Sequence, residues 1–157
     1  MRKLKSLWLL SVVLLLVSCS MSAKSDKNSE TGTASKGEVI TLNKAEFLEK
    51  VFNFEKSPTQ WVYEGDKPCI IDFYADWCGP CKKVAPILKD LAVLYKNDIV
   101  IYKVNVDQEK ELAAAFGVQS IPTFLFVPKT GQPQMAQGAL PREEFVKQID
   151  SFLLGKK

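Results

Sequence analysis

The feature that most narrows what this chain can fold into is the run CIIDFY at residues 69–74, apolar or aromatic at every position but Asp72. A strand with one solvated face alternates polar and apolar residues. One that is apolar on both faces must lie inside a sheet covered above and below. The next segment supplies a cover: Val84, Ile87, Leu88, Leu91, Leu94 and Tyr95 recur at helical spacing, in a long helix that Pro86 is expected to kink. Residues 99–106 form a second apolar run. A strand, a long helix and a strand in such short succession make a βαβ unit with a right-handed crossover.

The flanking periodicities extend this core. Residues 39–42 are a short extended run, and Asn43 then reads as an N-cap with Glu46 at the capping-box position of a helix on which Phe47, Leu48, Val51 and Phe52 share a face. Residues 55–68 are irregular, with Pro58, a short strand at 61–63 and a Gly65-Asp66 turn. Asp107 is placed to cap a helix through Ala115 that Gly117 ends. Thr123–Val127 and Gln134–Gln137 flank Lys129-Thr130-Gly131 as a hairpin, and a last helix opened by Pro141 buries Phe145, Val146, Ile149, Phe152 and Leu153. The expected class is α/β, a central mixed sheet flanked by helices on both faces.

The N-terminus is of another kind. MRKLKSLWLLSVVLLLVSCS has a basic start and an apolar run at 7–17 that is short for a membrane-spanning helix, which reads as an export signal over residues 1–18. Its end, Leu16-Val17-Ser18-Cys19, resembles the lipobox of bacterial lipoproteins, implying lipidation of Cys19 and a membrane anchor in the periplasm or cell envelope. Residues 19–37 would then be the lipidated cysteine and a flexible linker, rich in Ser, Thr, Gly, Lys and Asn, leaving 38–157 as the folded domain. Such a linker has an r.m.s. reach of about 20–25 Å. Arg2, Lys3 and Lys5 account for the formal charge of +3; without them the remaining Lys and Arg balance the 18 Asp and Glu. No clustered positive surface for nucleic acid is expected.

Two of the four cysteines stand in CGPC at 78–81, at the carboxyl end of the 69–74 strand and the start of the following helix, where α/β folds place their chemistry. That spacing suits a metal site, a structural bridge or a redox disulfide. Zinc would need two more ligands, and the chain has no histidine and only Cys69 and Cys19 besides. A bridge closing so short a loop stabilises little. A redox pair is favoured by position, because the unpaired N–H groups of a helix N-terminus stabilise a thiolate at Cys78.

The segment IIDFYADWCGPCK resembles the active site of the thioredoxin family, and the similarity runs from about Glu38 to the C-terminus. The resemblance implies a thioredoxin fold and a thiol-disulfide oxidoreductase that acts as a monomer on protein disulfides and needs no metal or other cofactor. It implies that Cys78 attacks, that Cys81 lies shielded beneath it and resolves the mixed disulfide, and that Asp72 takes the proton from Cys81. Lys103, in YKVNVD, matches the lysine that approaches this carboxylate. Ile121-Pro122 matches the loop whose proline is cis and faces the cysteines. Trp77, Gly79, Pro80, Ile121, Pro122, Gly138 and Ala139 become the substrate surface. Cys69 reads as a small buried hydrophobe. Gly79-Pro80 is the dipeptide of reducing members, so an exported reductase implies a membrane thiol reductase as electron donor. A dedicated reductant for cytochrome c maturation would share these residues, and a non-catalytic assembly module would share the fold.

Overall fold

In the computed structural model, which describes residues 37–156, the CIIDFY run is the middle of a five-stranded sheet. The elements in chain order are β1 (Val39–Thr41), α1 (Lys44–Lys50), β2 (Cys69–Tyr74), α2 (Gly79–Leu94), β3 (Val100–Asn105), α3 (Lys110–Ala115), β4 (Thr123–Val127), β5 (Gln134–Gln137) and α4 (Arg142–Lys147), which runs on into a π-helical turn, Gln148–Leu153. The strand order is β1-β3-β2-β4-β5. β3 pairs in parallel with β1 and β2, whereas β4 runs antiparallel to both β2 and β5. The sheet is therefore mixed, as expected. The signal segment, Cys19 and the linker up to residue 36 lie outside the described residues.

Period-two alternation along β2 splits the core in two. Ile70 belongs to one cluster with Val84, Leu88 and Leu91 of α2 and Phe145 of α4, while Cys69, Ile71 and Phe73 belong to another with Phe47 of α1 and Leu112 of α3. Helices cover both faces, which is why β2 tolerates apolar residues at successive positions. Asp72 shares the face of Ile70. It therefore lies on the side of the sheet that α2 covers.

Local signals account for most of the ends. The Asn43 side chain accepts from Glu46 N at 2.9 Å and Glu46 Oε2 accepts from Asn43 N at 3.1 Å, a complete capping box. α2 continues through Pro86. Three expectations are corrected. Asp107 does not cap α3: the N-cap is Glu109, and the Asp107 carboxylate is engaged with Trp77 instead. The strand expected at 61–63 is a single antiparallel bridge between Phe52 and Tyr63. The C-terminal helix, read as one uniform element, changes to π-helical winding after Lys147.

Residues 55–68 gain their order from aromatic packing. Trp61 stacks on Phe52 with ring centroids 4.4 Å apart, and Phe116 gathers Phe47, Phe54, Trp61 and Phe73 around it at 5.2–6.4 Å. Rings at such separations add about 0.5–1.5 kcal/mol per pair beyond the burial of their area. The irregular connection thus closes the α1/α3 side of the core rather than hanging free.

Candidate active site

β2 carries Asp72 near its end and hands the chain to a turn, Ala75 to Cys78, closed by Cys78 N–H donating to the Ala75 carbonyl at 3.1 Å. α2 begins at the next residue with Cys78 as its N-cap and Pro in its first turn. Gly79 and Pro80 are exposed there. Proline suits this place because the N–H it lacks would find no partner within the helix.

Cys78 and Cys81 form a disulfide, with Cα atoms 5.3 Å apart. Exposure does not separate the two cysteines: Cys78 is 3% and Cys81 4% accessible, so the expectation that only Cys81 is shielded is corrected. The cause is packing, since both lie in one cluster with Ala75 against which Tyr74, Val106 and Ile121 gather. What separates them is polarity. Cys78 Sγ accepts the backbone N–H of Cys81 at 3.1 Å, in the first turn of a 16-residue helix. A thiolate at Cys78 would keep that donor and gain the field of the helix N-terminus.

Asp72 is 6% exposed and its Oδ1 has no hydrogen-bonding partner in the protein. Burial pushes its carboxyl up from 3.8 to about 7, against the opposing pull of the Lys103 charge. Lys103 stands directly across from Asp72 in the β2–β3 register. No ion pair joins the two among the described residues; the Lys103 ammonium instead lies 5.2 Å from the centre of the Tyr74 ring. Both residues line a cavity of about 330 Å³, together with Ala85 and Leu88 of α2.

The Ile121-Pro122 bond is cis. Pro122 is buried, and Ile121 packs on the disulfide cluster. The Pro122 carbonyl accepts from Gly138 N at 2.8 Å, at a residue whose φ of +90° suits glycine and strains any side chain. This bond ties Gly138 to the proline loop. Gly138 and its neighbour Ala139 are both exposed. Trp77 is 69% exposed, with its indole Nε1 donating to Asp107 Oδ2 at 2.9 Å. Cys69 is fully buried, and that burial holds its thiol up at about 12, a value at which it stays protonated and inert.

Of the residues singled out in the sequence, Cys78, Cys81 and Ile121 gather in one cluster, Asp72 and Lys103 line one cavity, and Pro122 is hydrogen-bonded to Gly138, while Cys19 lies outside the described part. Sequence reasoning missed Asp76 and Asn105, and gave Asp107 the wrong task. The available signal was position: Asn105 ends and Asp107 follows the strand that lies next to β2, so both stand near the turn that leaves β2. Among the described residues, no group of three or more His, Cys, Asp or Glu side chains is placed to hold a metal ion.

A cysteine pair bridged at a helix N-terminus, packed against a cis-proline loop and following a strand that carries a buried carboxyl, defines a thiol-disulfide oxidoreductase of the dithiol type. The thioredoxin family model matches residues 38–151. A thioredoxin of Borreliella burgdorferi is 45% identical over 113 residues, 72% of this chain and 96% of that protein. A thioredoxin of Haemophilus influenzae is 39% identical over 117 residues, 74% of this chain and 98% of that protein. Among solved structures, a mutant thioredoxin from Halobacterium salinarum superposes with a TM-score of 0.60 at 27% identity, covering 78% of this chain and 96% of that one. This chain belongs to the thioredoxin family.

Proposed function

We propose that the protein reduces protein disulfides in the bacterial cell envelope, held to a membrane by lipid on Cys19 and resupplied with electrons by a membrane thiol reductase. The observation that carries the reductase reading is the Cys78–Cys81 pair seated on the N-terminus of α2, which follows the strand that carries the buried carboxyl of Asp72. The Leu16-Val17-Ser18-Cys19 motif supports the location.

In the reduced protein, the Cys78 thiolate attacks one sulfur of a substrate disulfide. The substrate bond breaks, one substrate sulfur leaves as thiolate, and the other stays bonded to Cys78. Cys81 then loses its proton to Asp72 and attacks Cys78 Sγ, expelling the second substrate thiolate and closing the Cys78–Cys81 bond. Two electrons pass to the substrate, and the donor returns them by reopening the bridge. Trp77, Gly79, Pro80, Ile121, Pro122, Gly138 and Ala139 form the surface on which the substrate segment lies. Lys103 tunes Asp72 by opposing its protonation.

The reading is tested by the state of the pair in living cells. Acid quenching, thiol alkylation and a gel shift should find Cys78 and Cys81 largely as dithiol, converting to disulfide when the membrane donor is lost. A pair fully oxidised in unperturbed cells, and indifferent to removal of candidate donors, would falsify the reductase assignment.

A further inference from the structure

Asn105 closes β3 at 3% exposure, and its side chain reaches in two directions. Nδ2 donates to Asp76 Oδ2 at 3.3 Å, and Oδ1 accepts from Asp107 N at 2.9 Å. Its backbone carbonyl accepts from Gln108 and Glu109 N–H at 3.2 and 2.8 Å, so the turn after β3 is wound around this residue. Asp107 in turn holds the Trp77 indole at 2.9 Å.

Asp76 and Trp77 are the two central residues of the turn that ends at Cys78. Both are fastened by their side chains to the turn after β3. Asn105 makes one fastening directly, and supports the other by holding the backbone of Asp107. An exposed hydrogen bond competes with water and by itself orders a side chain weakly, whereas the part-buried bonds of the Asn105 amide meet less of that competition. The order of this surface therefore originates in the buried residue. Winding the β3 turn needs only Oδ1 and the carbonyl of Asn105. The Nδ2 bond to Asp76 serves the other turn alone.

We propose that Asn105 is a positioning residue for substrate docking: through Asp76 and Asp107 it fixes the turn that presents Trp77, so that a protein disulfide meets a preformed wall beside Cys78. The inference rests on the reading of Trp77 as part of the substrate surface. An indole fixed before binding spares the complex the loss of its rotamer freedom. The latch therefore acts on large substrates that touch Trp77. A small disulfide that reaches only the sulfurs gains nothing from it.

The test compares Asn105→Ala, Asp76→Ala and Asp76→Asn in the detergent-solubilised full chain. Insulin serves as protein substrate, hydroxyethyl disulfide as small one, and Trp77 indole N–H exchange by NMR reports order. Asn105→Ala and Asp76→Ala should raise KM for insulin about three- to tenfold, leave the small-disulfide rate within about twofold, and speed indole exchange. Asp76→Asn, whose amide oxygen still accepts from Asn105, should stay within about twofold of wild type. Unchanged indole exchange and KM in the alanine variants would overturn the latch, as would equal losses on both substrates. Should Asn105→Ala fail to fold, Asp76→Ala decides, because Asp76 is exposed and leaves the β3 turn intact. If the wild-type chain reduces neither substrate, the reductase reading falls, and the indole measurement still decides whether Asn105 orders Trp77.

Discussion

Asp72→Asn should make the protein more stable and less active, with a pH dependence that identifies the cause. The wild-type carboxyl is buried with Oδ1 unpartnered and is displaced from 3.8 to about 7, chiefly by desolvation. Because the folded-state value lies above the unfolded one, the folded protein binds the proton more tightly. The stability this contributes is complete below about pH 4 and is lost as pH rises through about 7. At about 1.36 kcal/mol per tenfold change in the proton equilibrium, the loss comes to about 4 kcal/mol. A neutral amide of the same shape has no such slope. Urea unfolding of the oxidised wild type and variant should therefore give similar stabilities near pH 4.5 and a variant ahead by about 3–4 kcal/mol at pH 8.5. The same substitution should slow resolution of mixed disulfides, since the amide cannot take the Cys81 proton. A stability difference that is constant between those two pH values would refute the buried-carboxylate reasoning.

The remaining expectations concern the same site and the anchor. Cys81→Ser should accumulate covalent mixed disulfides with substrates on non-reducing gels and Cys78→Ser none; equal trapping by both would reverse or dissolve the assigned roles. Lys103→Gln removes the charge that opposes protonation of Asp72, so the pH midpoint of mixed-disulfide resolution should move above that of the wild type, and a midpoint that stays or falls would show that Lys103 does not act on Asp72. Cys19→Ala should release the protein from membranes or block its processing, and continued labelling of that variant by a palmitate analogue would remove the lipoprotein reading.

Much of the site was legible because its chemistry is encoded locally. CGPC places two thiols one helical turn apart, and the apolar run before it fixes where on the fold they stand. Asp72 stood out as the one charge in that run. The proline loop and Gly138 came from the family resemblance, not from periodicity, because nothing in the residues around Ile121-Pro122 says that they face a disulfide more than forty positions earlier. The task of Asp107 was misread for a related reason. An acidic residue shortly before a helical pattern looks like a cap until a distant indole competes for its carboxylate. Equal shielding of Cys78 and Cys81 was likewise hidden, since the side chains that cover them come from β2, the turn after β3 and the proline loop.

Residue spacing alone was enough for the strand and helix succession of the βαβ core, the capping box at Asn43 and the placing of two cysteines at the start of α2. Each follows from spacing along one stretch of chain, where geometry is set by the backbone periods of helix and strand. Tertiary structure alone decided which face of β2 carries Asp72 beneath α2, that Lys103 stands opposite it, and that Asn105 and Asp107 reach back 29 and 30 residues to Asp76 and Trp77. Those contacts depend on β3 lying beside β2 in the order β1-β3-β2-β4-β5. That order is set by which pairs of faces bury the most apolar surface together, a property of the whole packed sheet that no single segment carries.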